Sequence, residues 1–132
     1  SDLDFVLAKT VDEKPMYRRV LNEAESYRAG MEAWVGLIAS MWEIIGKPLD
    51  EKRLDLYCRQ LKIVPYGLLE KGIAYAVRNN TYSNVPPVGV IWEGIRRELA
   101  FLNLTPNTDI ADAIQRWDFL MYKRAVIEMG TA

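Results

Sequence analysis

The stretch that decides the fold runs from Gly46 to Leu102: GKPLDEKRLDLYCRQLKIVPYGLLEKGIAYAVRNNTYSNVPPVGVIWEGIRRELAFL. Three segments in it carry apolar residues at helical spacing. Lys47-Pro48-Leu49-Asp50-Glu51 reads as a helix opening, with acids in the first turn where the helix dipole favours them. Leu54, Tyr57, Cys58 and Leu61 then form an apolar stripe. Pro65 ends that segment and starts the next, because the residue before proline disfavours the α region. Leu68, Leu69, Ile73, Ala76 and Val77 mark the second face, and the small residues Gly72, Ala74 and Ala76 suit close helix packing. Asn79 and Asn80 suit a left-handed terminus. The polar run Asn79-Asn80-Thr81-Tyr82-Ser83-Asn84-Val85-Pro86-Pro87 closes on two prolines that pre-set the turn of a third segment. In that segment Val88, Ile91, Ile95, Leu99 and Leu102 line one side, with Glu93, Arg96, Arg97 and Glu98 mostly opposite.

Working outward, Asp12 and Pro15 suit the start of a helix marked by Met16, Val20, Ala24 and Tyr27. Met31, Trp34, Val35, Ile38, Met41, Trp42 and Ile45 repeat at i, i+3, i+4, i+7, and Gly46 stands where a C′ glycine belongs. A break or kink is expected at Gly30. Leu104 to Asp109 interrupts the pattern, and Thr108 can cap a last helix defined by Ile110, Ala113, Ile114, Trp117, Leu120 and Met121. No segment alternates with period two. The expected fold is all-α, a single compact bundle of about six helices near 15–29, 31–45, 50–62, 66–78, 88–102 and 109–129. One domain over 1–132 is expected, with 1–11 a loosely ordered arm. The expected core is Trp34, Ile38, Tyr57, Leu61, Leu69, Ile73, Ile91, Ile95, Ile114 and Trp117.

Composition sets what such a chain can do. Its 132 residues are 50% hydrophobic, enough for a packed core at ordinary domain size. Lys and Arg number 17 against 18 Asp and Glu, a net charge of −1. That argues against a coat held to nucleic acid by phosphate contacts alone, though a local basic patch remains open. There is no histidine, which removes the commonest general base and metal ligand and every Ser-His or Cys-His pair. Glycines stand singly, without a Walker or dinucleotide fingerprint. Apolar runs fall short of the ~20 residues a membrane span needs, and Ser-Asp-Leu-Asp-Phe lacks the basic opening of a signal peptide. With the lone Cys58, these features point to a cytoplasmic, non-enzymatic protein without a cofactor, metal or membrane partner.

The carboxylates have plain readings: Asp109 and Asp112 fall in a first turn, where capping and the dipole explain them. Cys58 has the bland reading of an inert core thiol. Arg18-Arg19, Lys52-Arg53, Arg96-Arg97 and Lys123-Arg124 lie on polar helix faces, where interleaved charge is the default. Arg96-Arg97 stands out, one turn beyond Trp92 and directly after the loop. Trp, Tyr and Arg concentrate at binding hot spots, so Tyr82, Trp92, Arg96 and Arg97 are the candidate partner-binding residues. Against that stands the structural reading, in which Trp92 seals a core edge and the prolines only fix the loop.

The order of these elements resembles the helical module of phage-encoded replicative-helicase loader/inhibitor proteins. The likeness covers about residues 34–97: an apolar helix; a Leu-x-x-Tyr-x-x-x-Leu helix with Leu54, Tyr57 and Leu61; a helix through Leu69, Ile73 and Val77; and a Pro-closed loop entering Val88-Gly89-Val90-Ile91-Trp92-Glu93-Gly94-Ile95-Arg96. The resemblance implies an adaptor that binds a hexameric DnaB-type helicase, or another replication protein, and loads or inhibits it. The family often carries a flexible C-terminal tail, whereas residues 109–129 here read as a strong amphipathic helix. The alternative is a small helical nucleic-acid-binding or regulatory phage protein using a local Arg/Lys face.

Overall fold

A computed structural model describes residues 30–81, 83–104 and 109–130. The expected arm over 1–11, the helix over 15–29, Tyr82 and the Thr108 cap lie outside them. The chain divides into two units, Ser1–Gly36 and Leu37–Ala132. The fold is all-α, and no strand occurs among the described residues. Among the described residues five helices run in order: α1 over 30–44, α2 Glu51–Gln60, α3 Tyr66–Arg78, α4 Val88–Phe101 and α5 Ile110–Gly130. Gly30 is already helical, so the break expected there falls at the edge of what is described.

Each boundary has a local cause. α1 ends at Gly46, whose φ of +70° is open to glycine at little cost. The Gly46 N–H donates to the Glu43 carbonyl and the Lys47 N–H to the Trp42 carbonyl, both at 3.0 Å. That pair of bonds is a Schellman cap. Asp50 caps α2 by accepting the Arg53 N–H at 3.1 Å, and the Asp109 carboxylate accepts the Ala111 N–H at 3.0 Å to open α5. α4 ends in a second Schellman cap: the Asn103 N–H bonds the Ala100 carbonyl at 3.0 Å and Leu104 N–H the Leu99 carbonyl at 2.8 Å.

Asn103 is the left-handed residue there, with φ +58°. A left-handed terminus is also expected at Asn79 or Asn80, at the end of α3, and neither residue adopts it. Asn79 has φ −100° and instead donates its side-chain amide to the Tyr75 carbonyl at 2.8 Å. That carbonyl also accepts the Asn79 backbone N–H at 3.1 Å, so backbone and side chain of Asn79 close the helix end together without any left-handed turn.

The core of the second unit is built from Ile38, Met41 and Trp42 of α1, Tyr57 and Leu61, Leu68, Leu69, Ile73 and Ala76 of α3, Ile91, Ile95 and Leu99 of α4, and Ala113, Ile114 and Trp117 of α5. All of the expected core is buried except Trp34, which is half-buried, as large indoles commonly are. Val64, Val85 and Pro86 are also buried, although they belong to connections rather than helices.

α3 and α4 approach each other through glycine. A Cβ on Gly72 would lie 2.8 Å from the Ile91 carbonyl oxygen and 2.7 Å from Ile95 Cγ1. A Cβ on Gly94 would lie 2.9 Å from the Gly72 carbonyl oxygen and 2.7 Å from Tyr75 Cβ. The two glycines therefore face one another, and neither helix backbone has room for a methyl group. Ala74, grouped with Gly72 in the sequence reading, is exposed; the close approach uses Gly72 and Gly94 instead. On the other side of α3, a Cβ on Gly67 would lie 2.9 Å from the Trp117 indole, so this glycine seats α5.

Tyr57 ties α2 to the proline loop. Its hydroxyl donates to the Pro86 carbonyl at 2.7 Å in a buried bond and accepts from Arg53 Nη2 at 3.2 Å. Its ring lies 6.1 Å from that of Trp42, tilted by 52°, within the range where aromatic pairs attract. The loop braces itself as well. Asn80 Nδ2 donates to the Asn84 carbonyl and Val85 N–H to Asn84 Oδ1, both at 2.8 Å. Among the described residues, no helix is long and apolar enough to cross a membrane.

Two predictions follow from this packing. Gly72→Ala and Gly94→Ala each lose about 1–3 kcal/mol through overpacking, although Ala is the better helix former by about 1 kcal/mol. Gly36→Ala, exposed in mid-helix with open space around it, gains about 0.5–1 kcal/mol; urea unfolding of the three variants should separate the signs. In the second, Tyr57→Phe leaves the Pro86 carbonyl buried without its donor and costs about 1–3 kcal/mol. A loss near zero would mean that water reaches that carbonyl.

Candidate protein-binding face

The polar face of α4 is positioned by the same glycine contact that packs its apolar face. Because Gly94 has no side chain, Tyr75 of α3 can lie directly against α4. From there its hydroxyl donates to Glu93 Oε1 at 2.8 Å. Arg97, one turn on, holds a 3.6 Å ion pair with the same Glu93 oxygen. Its guanidinium carbon lies 5.0 Å from the Tyr75 ring centroid. On the neighbouring ridge the Arg96 guanidinium carbon lies 5.9 Å from the centroid of Trp92. Both distances fall within cation–π range.

Of the sequence candidates, Trp92 and Arg96 thus meet directly, and Arg97 joins a second cluster beside them. Trp92 is half-buried while Arg96 and Arg97 are exposed, so Trp92 both seals an edge of the core and offers a surface. Tyr82 lies outside the described residues. Sequence reasoning missed Tyr75 and gave Glu93 no role beyond a polar face. The i, i+4 spacing of Glu93 and Arg97 was visible. The arrival of Tyr75 was not, since it depends on the register of α3 against α4.

Electrostatically the cluster is a balanced one. The hydrogen bond to Glu93 is the main cause that raises the Tyr75 phenol above its ordinary value of 10.0, with some desolvation added, while the Arg97 charge pulls the other way. Exposed pairs of this kind contribute little to stability. Their effect is to restrict the rotamers of two long side chains. No group of three or more Cys, Asp or Glu suited to a metal ion occurs among the described residues. Cys58 is half-buried, and burial followed by the neighbouring Asp55 charge raises its thiol above 9.0, away from the thiolate that nucleophilic chemistry uses.

The Tyr75 shift has a sign that can be tested. A raised folded value means its contribution is complete below the unfolded pKa of about 10 and is lost as pH rises through the folded one. Glu93→Gln removes the acceptor charge, so ultraviolet titration should find one tyrosine that ionises at lower pH in the variant than in the parent. An unchanged titration would mean that the Tyr75–Glu93 bond is not populated in solution.

No family model matches this chain, and neither the curated proteins nor the solved structures contain a significant match to it.

Proposed function

We propose that this chain is a non-enzymatic adaptor that works by binding another protein through the α3–α4 face, with Trp92, Arg96 and Arg97 as contact residues and Tyr75 and Glu93 as their supports. The observation that carries the reading is the pair of exposed arginines, each lying over an aromatic ring within 6 Å. Arg, Trp and Tyr are the side chains that dominate interface energetics. Holding them in place beforehand lowers the ordering cost of association.

The face favours a protein over nucleic acid. Phosphate binding scales with the number of cations presented, and here Glu93 sits between the arginines, paired to Arg97 at 3.6 Å. A carboxylate at that position repels phosphate but complements a mixed protein surface. The resemblance of residues 34–97 to phage helicase loader/inhibitor proteins supplies the partner class: a hexameric DnaB-type replicative helicase, which the chain would load or inhibit inside the cell.

Arg96→Glu with Arg97→Glu should leave the fold nearly intact, because both side chains are exposed and lie opposite the apolar stripe. Capture of the helicase encoded in the same genome should fall by at least about 10-fold, since like-charge contacts at an interface cost several kcal/mol. Trp92→Ala should weaken capture similarly. A pull-down read beside a single-stranded DNA titration at two salt concentrations decides the matter. Tight, salt-sensitive DNA binding without helicase capture would replace the adaptor with a nucleic-acid-binding protein.

A further inference from the structure

α5 has two apolar faces, and only one of them is covered by the described residues. Ile110, Ala113, Ile114 and Trp117 turn inward, with Leu120 and Met121 half-buried at the end of that face. From Tyr122 to Gly130 every residue is exposed. On the opposite side runs a second stripe: Phe119, Tyr122, Val126 and Met129, exposed by 60%, 66%, 49% and 79%. Its spacing is three, four, three, the a and d positions of a coiled-coil seam. A helix in water owes most of its stability to the packing of an apolar face. The last turns of α5 present such a face to solvent.

We propose that this stripe pairs with the same stripe of a second copy of the chain, in a parallel helix pair. The charges beside the seam argue for that occupant and that direction. With Phe119 and Val126 at a, Asp118 is a g residue and Lys123 an e residue. In a parallel pair each g residue faces the partner's e residue five positions later. Asp118 then meets Lys123 of the second copy, twice, with opposite signs. An antiparallel pair sets e against e and brings the two lysines together.

The Lys123 ammonium already lies over the Phe119 ring, 5.0 Å from its centroid. Its stem covers the edge of the stripe, as lysines at such positions do. Area agrees with a reversible dimer. Phe119 and Tyr122 of two copies would supply about 600–1,000 Å² if they were buried from full exposure; they start 60% and 66% exposed, and with Val126 and Met129 added the seam removes up to about 1,000 Å² from water, the low end for a specific interface.

Sedimentation equilibrium of the full chain between about 1 and 100 μM tests this directly, since interfaces at the small end form reversibly in that range. The parent chain should shift from monomer to dimer across the series. Val126→Asp, at an exposed position, should keep its circular dichroism at low concentration and weaken the dimer at least 10-fold, because it puts like charges at the centre of the seam. Asp118→Lys and Lys123→Asp should each be monomeric alone, form a heterodimer when mixed, and recover the homodimer when combined in one chain. A parent chain that stays monomeric at every concentration overturns the proposal, leaving the stripe to a foreign helix or a lipid surface. A dimer indifferent to both charge variants overturns it as well. Neither result touches the α4 face, whose test reads helicase capture.

Discussion

The contact between Gly72 and Gly94 is the constraint on which the described fold most depends. Helix axes pass at about 8–10 Å when ordinary side chains intervene. Here the backbones meet with no side chain on either, and the Gly72 carbonyl oxygen lies where a Gly94 methyl would be. That proximity lets Ile91 and Ile95 pack directly on α3 instead of on its side chains, and both are completely buried. It also fixes the azimuth of each helix. Once two glycines must face one another, a rotation of even one residue drives a Cβ into a carbonyl, so the register of the pair is specified sterically as well as hydrophobically.

The rest of the second unit is hung on that pair. Gly67, in the first turn of α3 and on its other side, lies against Trp117 and so seats α5. The loop between the two helices closes from the other side, where Val85 and Pro86 are buried and Pro86 accepts from Tyr57. Tyr57 has a double function: its ring packs on Trp42 while its hydroxyl satisfies a carbonyl that the loop would otherwise bury alone. A buried backbone acceptor must find a donor, and a tyrosine at the rim of a core supplies one at the end of an apolar ring. This is a physical reason for tyrosine at that position, where phenylalanine would pack equally well.

The elements were largely legible from residues alone because their signals are local. Period 3.6 stripes, Pro65, the Pro86-Pro87 pair, Gly46 and Asp50 each act within a turn of where they stand, and the helices begin and end beside them. What was not legible depends on distance in sequence. Val64, Val85 and Pro86 carry no periodic signal, and they are buried because other elements fold over them. The left-handed terminus expected at Asn79 or Asn80 does not form, and the one that does form is Asn103, at the end of the next helix. The site divides in the same way. Trp92 and Arg96 sit one turn apart, so their pairing follows from helix geometry, whereas Tyr75 enters the face only because Gly94 leaves room for it.

This last dependence links stability to the proposed binding face. Tyr75 lies beside Arg97 and within hydrogen-bond reach of Glu93 because its own Cβ occupies the space a Gly94 side chain would take. Any change that pushes α3 and α4 apart therefore also moves Tyr75 away from Glu93. Arg97 would then keep its local i, i+4 partner but lose the aromatic ring that restricts it, and its side chain would regain rotamers whose loss association must later offset. The polar face is thus set by the helix contact beneath it: the same two glycines that bury Ile91 and Ile95 bring the tyrosine beside the arginine.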